Sequence, residues 1–291
     1  MCVIIAKYFE KQGWVGVKNR DRNYVPEITF KAIEHDGLER LLFEDKVTGY
    51  KEGLNSHGVS ILSASLMVQD DEKELSTKNS KRKSPDGIKI SDALKEDTAM
   101  LAVKRAIHNE LTGNSIIYDR DNLFLLEGCK KDDVYHRVCK KIGRDQVVAR
   151  TNHGVWLPWA GYQRTPDDDA QTLSRISSES RRLQAQNVVE NAEDPMEMVD
   201  GMCQVYLDNP QLNIMRTSTE RKKMRTTAQE MIIPSERTLY CRPISSHIEF
   251  DFWNLNKPDR NCWVEILSNR ALWQDTKGDP PFGSNGMKHS T

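Results

Sequence analysis

Short apolar runs separated by polar turns occupy both ends of the chain, and segments of helical period lie between them. The first run, Cys2–Phe9, is rich in Val and Ile. Gly13-Trp14-Val15-Gly16-Val17 resumes after Glu10-Lys11-Gln12, so the two predict an N-terminal β-hairpin. Such a hairpin ties the amino terminus into a sheet. Further strands are expected at 41–44 and 59–67. The hairpin 114–119/122–127 is marked by two apolar runs around a short polar turn. Residues 132–141 suit either a short helix or a strand, and 146–151 reads as a strand. A helix is expected to begin near Ser91 or Asp92, with Leu94, Leu101 and Ile107 on one face. A second is expected over 174–189, with Ile176, Leu183 and Val188 inward, and a third over 195–206. Late strands follow at 226–233, 238–242, 247–254 and 263–266.

Strands at both ends with helices between them fit two packed sheets covered by helices, an α+β class. Residues 69–89 interrupt the pattern with Asp70-Asp71-Glu72-Lys73-Glu74 and Lys81-Arg82-Lys83, the composition of a solvated loop or a lid. No internal repeat or linker divides the chain, so residues 1–270 read as one domain. The segment 271–291 reads as a poorly ordered tail.

Charge changes the picture by exclusion. The 291 residues carry 42 basic and 43 acidic side chains, a net charge of −1, which gives no global electrostatic case for nucleic acid. No apolar run approaches the roughly 20 residues needed to span a bilayer, and Lys7 interrupts a start too short for a signal peptide. The six cysteines are spread out with no C-x-x-C pair, which argues against a zinc ribbon or a disulfide scaffold. A cytoplasmic protein without metal or organic cofactor is expected, acting on a small molecule, with homo-oligomerisation left open.

The candidate chemistry starts at Cys2. Removing Met1 leaves one residue with both a thiol and an α-amino group, whose ordinary pKa values are roughly 8.5 and 7.7–8.0. A proton passes between them at little cost, which makes a nucleophile and base in one residue. Lys18-Asn19-Arg20-Asp21-Arg22-Asn23, at the end of the second expected strand, returns beside Cys2 in a hairpin. A cation there favours the thiolate, and a carboxylate there orients the ammonium. The run reads equally as a charged turn. Arg150-Thr151-Asn152-His153-Gly154 follows a strand, where Asn152 offers an amide N–H to a developing oxyanion or simply makes a turn. His153 is a weaker partner for the thiol, since a terminal amine already supplies a base. Arg181, in Ser177-Ser178-Glu179-Ser180-Arg181, reaches toward a pocket or lies solvated on a helix. Trp156, Trp159 and Tyr162 suggest a partly apolar pocket wall or core.

Cys2, Lys18-Asn19-Arg20-Asp21, Gly53-Leu54-Asn55-Ser56-His57-Gly58-Val59, the 116–127 hairpin, Thr151-Asn152-His153, 177–181 and Arg225-Thr226-Thr227-Ala228-Gln229 occur in a familiar order. Together they resemble the cysteine N-terminal-nucleophile (Ntn) hydrolases of the choloylglycine hydrolase, penicillin V acylase and acyl-CoA:penicillin acyltransferase group. Asn19-Arg20-Asp21 is also similar to the NRDE motif of the transport-and-Golgi-organisation 2 family. The resemblance implies a four-layer αββα sandwich of two antiparallel sheets. It implies Cys2 as nucleophile with its amine as base, Asp21 binding that amine, Asn152 in the hydrogen-bond network and Arg181 supporting the cluster. Lys18 stands where the family has arginine, with Arg20 a rival for that role. The family's oxyanion asparagine falls on Ala64 or Ser65, of which Ser65 offers a hydroxyl. The implied activity is hydrolysis of a non-peptide C–N bond in an N-acyl amine or N-acyl amino acid through a thioester. Acyl transfer by the same nucleophile, or a binding protein that keeps the fold, are the alternatives. A glutamine amidotransferase also begins with Cys2, but its Met-Cys-Gly opening is absent here.

Overall fold

The computed structural model describes residues 2–24, 26, 28–66, 84–161, 168–205, 207–217, 224–243 and 264–266. Among these, thirteen strands form two antiparallel sheets. The six-stranded sheet has the order β10-β1-β2-β11-β12-β13, built from Val148–Arg150 (β10), Cys2–Phe9 (β1), Gly13–Arg22 (β2), Arg225–Ile233 (β11), Thr238–Pro243 (β12) and Val264–Ile266 (β13). The seven-stranded sheet runs β3 to β9 in chain order: Ile28–His35, Leu38–Asp45, Tyr50–Asn55, Ser60–Ala64, Gly113–Tyr118, Leu123–Lys131 and Val134–Ile142.

Three apolar layers hold this arrangement together. Between the sheets, Ile4, Ala6 and Trp14 meet Leu41, Phe43, Leu54, Leu62, Ile116 and Leu125. On the outer face of the first sheet, Val3, Ile5, Val15 and Val17 pack under Ala185, Val188 and Val189 of helix α3 (Asp168–Asn191) and Met198 and Val199 of helix α4 (Pro195–Gly201). On the outer face of the second, Ile61, Ile117 and Phe124 pack under helices α1 (Pro85–Ala93) and α2 (Ala99–His108). The layers alternate because successive strand residues point to opposite faces, so one strand feeds two cores. The result is the αββα sandwich of two antiparallel sheets that was expected. None of the described helices is long and apolar enough to cross a membrane.

Several elements depart from the sequence reading. The charged run from Lys18 to Arg22 is not a turn. It continues strand β2, buried on both faces, because each of its charged groups finds a partner there. Strands β3 and β5 were not foreseen, since Lys31, Glu34 and Glu52 break their apolar alternation. The helix expected from residue 91 is two helices. Its second half starts afresh at Thr98, whose hydroxyl accepts from Leu101 N at 3.3 Å. Leu101 is exposed and the buried face is Ala99, Ala102, Val103 and Ala106, small residues with a weak apolar signal. Helix α3 likewise leaves Ile176 and Leu183 exposed and turns Ser177, Ser178 and Arg181 inward. Residues 134–142 are a strand, and the helix expected over 195–206 ends at Gly201. Of the charged segment 69–89, residues 85–89 belong to α1, and the rest of the expected lid up to 83 lies outside the described residues. Tyr162, the 247–254 strand and the 271–291 tail also lie outside them.

Gly53 shows how closely the second sheet is drawn together. Its φ is 151°, and a Cβ there would stand 2.0 Å from the Leu41 carbonyl oxygen. Gly53→Ala is therefore expected to destabilise the fold by about 3 kcal/mol or more, through backbone strain and a clash that rigid backbone cannot relieve. A chemical denaturation midpoint equal to that of the parent protein would contradict this.

Candidate active site

Alternation along β2 distributes its charges to two sides. Even-numbered residues face the inter-sheet core beside Cys2, Ile4 and Ala6, and odd-numbered ones face the helices. Lys18 and Arg20 thus lie between the sheets, while Asn19 and Asp21 lie under α3 and α4.

Between the sheets, Glu52 of β5 receives both cations. Lys18 Nζ donates to both Glu52 oxygens, at 2.5 Å to Oε2, and to the Ser63 carbonyl at 2.7 Å. Arg20 Nη1 donates to Oε2 at 2.8 Å, and Ser63 N donates to Oε1 at 2.7 Å. All three side chains are fully buried. Glu230 of β11, paired with Lys18 across the sheet, is the fourth member, with Arg20 Nη1 at 3.7 Å. Burial and the neighbouring Glu52 charge push the Glu230 carboxyl well above the usual range, so it carries its proton at neutral pH. Further along, Arg22 approaches Asp45 at 3.4 Å, and Tyr24 donates to the same oxygen at 2.6 Å.

Cys2 lies at the start of β1, opposite Arg20 in the register. Its thiol is 4% exposed, which alone would disfavour a thiolate. Burial does raise its pKa, but Lys18 and Arg22 outweigh burial and bring it to about 6. Arg22 Nη1 donates to Sγ at 3.5 Å. The backbone nitrogen of Cys2 donates to Asn152 Oδ1 at 2.6 Å, and Asn152 Nδ2 donates to the Ser65 carbonyl at 2.7 Å. Asn152 is fixed from behind: Asn114 Nδ2 binds the Thr151 and His153 carbonyls, at 2.8 and 2.9 Å. Glu127 accepts the backbone N–H groups of Val155, Trp156 and Leu157.

On the helix side of β2, the Asp21 carboxylate is bound by Arg181 Nη2 and by Thr226 Oγ1 at 2.9 Å, with Arg216 Nη1 at 3.8 Å. Burial and the neighbouring Arg181 pull the Arg216 guanidinium down to about 9. Asn19 donates to the Met202 carbonyl at 2.7 Å and accepts from Gln229 at 2.8 Å, which seats α4 on the sheet.

Cys2, Lys18, Arg20, Asp21, Asn152 and Arg181 are therefore brought into one region, on two faces of the same strands. Ser65 is placed differently from expectation. It is exposed, and its carbonyl oxygen rather than its hydroxyl is what Asn152 engages. The Asn152 amide is committed at both ends, to Cys2 N and to Ser65 O, so it holds the Cys2 backbone in place. His153 does not pair with the thiol. Its Nδ1 lies 2.8 Å from Ser178 Oγ and 3.0 Å from Thr151 Oγ1, and burial lowers its pKa to about 4. Sequence reasoning named Arg22 only as one cation of the Lys18–Asn23 run, and it missed Glu52, Arg216 and Glu230. An acid leading into the apolar Met231-Ile232-Ile233 was a usable signal for Glu230; Glu52, between Lys51 and Gly53, and Arg216 had none. Among the described residues, no group of three or more His, Cys, Asp or Glu side chains is arranged to hold a metal ion.

No protein-family model matches the chain, and no curated protein matches it. Among solved structures it is similar to a penicillin V acylase from Agrobacterium tumefaciens, with 14% identity and a TM-score of 0.45 over 83% of each chain. It is also similar to a mutant form of the conjugated bile acid hydrolase from Clostridium perfringens, with 12% identity and a TM-score of 0.45 over 84% of this chain and 89% of that one. The likeness to the transport-and-Golgi-organisation 2 family finds no support among these matches. At such distances the chemistry rests on the site's own residues.

Two outcomes follow from the buried charges. Glu52→Gln leaves Lys18 and Arg20 without their carboxylate and is expected to cost about 3–5 kcal/mol, whereas Glu230→Gln, replacing a protonated acid, is expected to cost less than about 1 kcal/mol. Urea unfolding of both variants at neutral pH checks the contrast, and equal losses would refute it. The sign of the pH dependence is fixed as well. A carboxyl whose pKa is raised by folding contributes stability below its unfolded value, near 4.3, and loses it as pH rises through the folded value. Glu230→Gln should therefore flatten the decline in stability between that unfolded value and the folded value of about 8.

Proposed function

We propose that the chain is an N-terminal cysteine amide hydrolase that cleaves a non-peptide C–N bond in a small acyl amide. The observation that carries this reading is the Cys2 environment. A buried thiol is drawn down to about 6 by Lys18 and Arg22, on a residue whose nitrogen is held by Asn152. Removal of Met1 would turn that nitrogen into an α-amino group.

The chemistry then follows from position. The Cys2 thiolate attacks the amide carbon, and the carbonyl oxygen takes the negative charge. Arg22, already beside the sulfur, is the donor nearest to where that charge develops. The α-ammonium gives its proton to the leaving nitrogen, the C–N bond breaks, and a Cys2 thioester remains. Water, deprotonated by the same amine, attacks the thioester and frees the acid. An amine in place of water makes the same residues an acyltransferase. Asp21, anchored by Arg181 and Thr226, is the carboxylate we assign to the ammonium, and Asn152 fixes the direction of its N–H bonds. Lys18 and Glu52 set the charge around the sulfur.

The test is intact mass of the purified protein with a panel of acyl p-nitroanilides under acid quench. Loss of Met1 and a covalent acyl adduct absent from Cys2→Ala are expected. Retained Met1, or an adduct unchanged by the substitution, would overturn the reading. Arg22→Gln is expected to lower kcat by on the order of 10²–10³ with a smaller change in KM, as for loss of one oxyanion donor. The pH profile of Cys2 alkylation by iodoacetamide should have its midpoint near 6 in the parent protein and move upward in Lys18→Met, because removing a cation disfavours the thiolate. A midpoint in that variant at or below the parent value would refute the assignment.

A further inference from the structure

The two sheets end side by side at one edge of the sandwich. There β10, an end strand of the first sheet, and β9, an end strand of the second, each bring a cation to the same Trp156 ring. Arg150 of β10 pairs with Ile4 in the register, so it faces the inter-sheet layer that also contains Cys2. The position after next is Asn152, which holds the Cys2 nitrogen. Ile4 lies two residues from Cys2 along β1, a span of about 7 Å, so Arg150 stands opposite a position one same-face step from Cys2. From the other sheet, Lys140 of β9 pairs with the core residue Leu125 and faces the same layer.

Trp156 joins the two. Its ring centroid lies 4.6 Å from Lys140 Nζ and 4.8 Å from the Arg150 guanidinium carbon, two cations against one indole. The ring is set in place by Glu127, which holds the backbone of residues 155–157. These cations differ from the others at this edge. Lys130 pairs with Glu110 at 2.5 Å and Arg144 with Asp121 at 3.0 Å. Among the described residues neither Arg150 nor Lys140 has a carboxylate partner, and the Arg150 Nε is buried without an acceptor. The neighbouring carboxylate, Glu127, is occupied by backbone N–H groups. Burial, opposed by Glu127 and aided by Arg182 nearby, brings Arg150 down to about 10. A partly buried arginine with an unused Nε donor, an exposed lysine and an aromatic wall form a place that an anion would complete.

We propose that Arg150, Lys140 and Trp156 form a subsite at this edge that binds a carboxylate carried by the substrate, about two strand residues from the scissile bond. The substrates are then amides with an acidic substituent on an apolar arm. The arm lies along the Trp156 face, and the acid meets the Arg150 and Lys140 donors. This rests on Cys2 being the nucleophile, and it adds a selectivity that the thiol, Lys18 and Arg22 do not provide at that distance.

The test compares two thiol reagents of equal reactivity and similar length, 6-maleimidohexanoate and neutral N-hexylmaleimide. The rate of Cys2 modification is followed by mass spectrometry at low ionic strength. The anionic reagent is expected to react about tenfold faster, the gain of one charge-assisted hydrogen bond. In Arg150→Gln and in Lys140→Gln that ratio should fall to about twofold or less, reading the same lost bond. Lys140 is exposed, so its variant keeps the comparison open if Arg150→Gln lowers stability. Equal ratios in the parent protein and both variants would overturn the subsite and leave the nucleophile standing. No modification of Cys2 by either reagent would overturn the nucleophile, and the subsite with it.

Discussion

One carboxylate, Glu52, sets the terms for the centre of this protein. It comes from the second sheet, yet both of its cations come from the first, and its third bond returns to the Ser63 backbone of its own sheet. Two sheets packed by apolar contacts alone can slide by a residue pair at modest cost. A buried carboxylate bound to Lys18 and Arg20 cannot follow such a slide without stranding charge in the core. The register that places β2 against β5 is the one that places Lys18 near the Cys2 sulfur. Fold specificity and thiol chemistry therefore share a single group.

The opposite side of β2 repeats the logic with the sign reversed. There the carboxylate, Asp21, belongs to the first sheet, and its cations arrive from outside, Arg181 on α3 and Arg216 in the segment before β11. The helical layer is thus tied to the strand that carries the site, and α4 is tied to the same strand through Asn19. Cys2 stands at the end of the neighbouring strand, where both polar layers meet it. Its sulfur answers to the inter-sheet charges and its nitrogen to Asn152. Such a division keeps the sulfur and the nitrogen of one residue under separate control.

The layered plan was legible because its outer signals are apolar and local. The N-terminal hairpin, the 113–131 hairpin and helix α3 all announce themselves by runs of Val, Ile and Leu or by turn residues. What failed was wherever buried polar groups stand in for apolar ones. Strand β5 hides behind Glu52 and Gly53, and the inward face of α3 carries Ser177, Ser178 and Arg181 because it covers charged strands rather than an oily surface. Helix α2 was misjudged for the converse reason, since its buried alanines look neutral while Leu101 looks apolar. Of the site, Cys2, Asp21, Asn152 and Arg181 were found together by their order along the chain. Their partners Glu52 and Arg216 depend on which strands and segments face one another, and one-dimensional spacing does not encode that.

The hydrogen bond from Cys2 to Asn152 has a consequence in time. Asn152 reaches Cys2 from a strand about half the chain away, so the first residue of β1 is enclosed late, once β10 has been made and docked. After that moment the peptide bond before Cys2 begins at a nitrogen committed to an acceptor, on a residue almost without exposed surface. The trimming that our proposed activity requires has its opportunity while the amino terminus is still a bare thread leaving the ribosome. Maturation and folding are then competitors for the same few atoms. The yield of competent protein becomes a matter of which arrives first, a clock set by translation rather than by the stability of the finished fold.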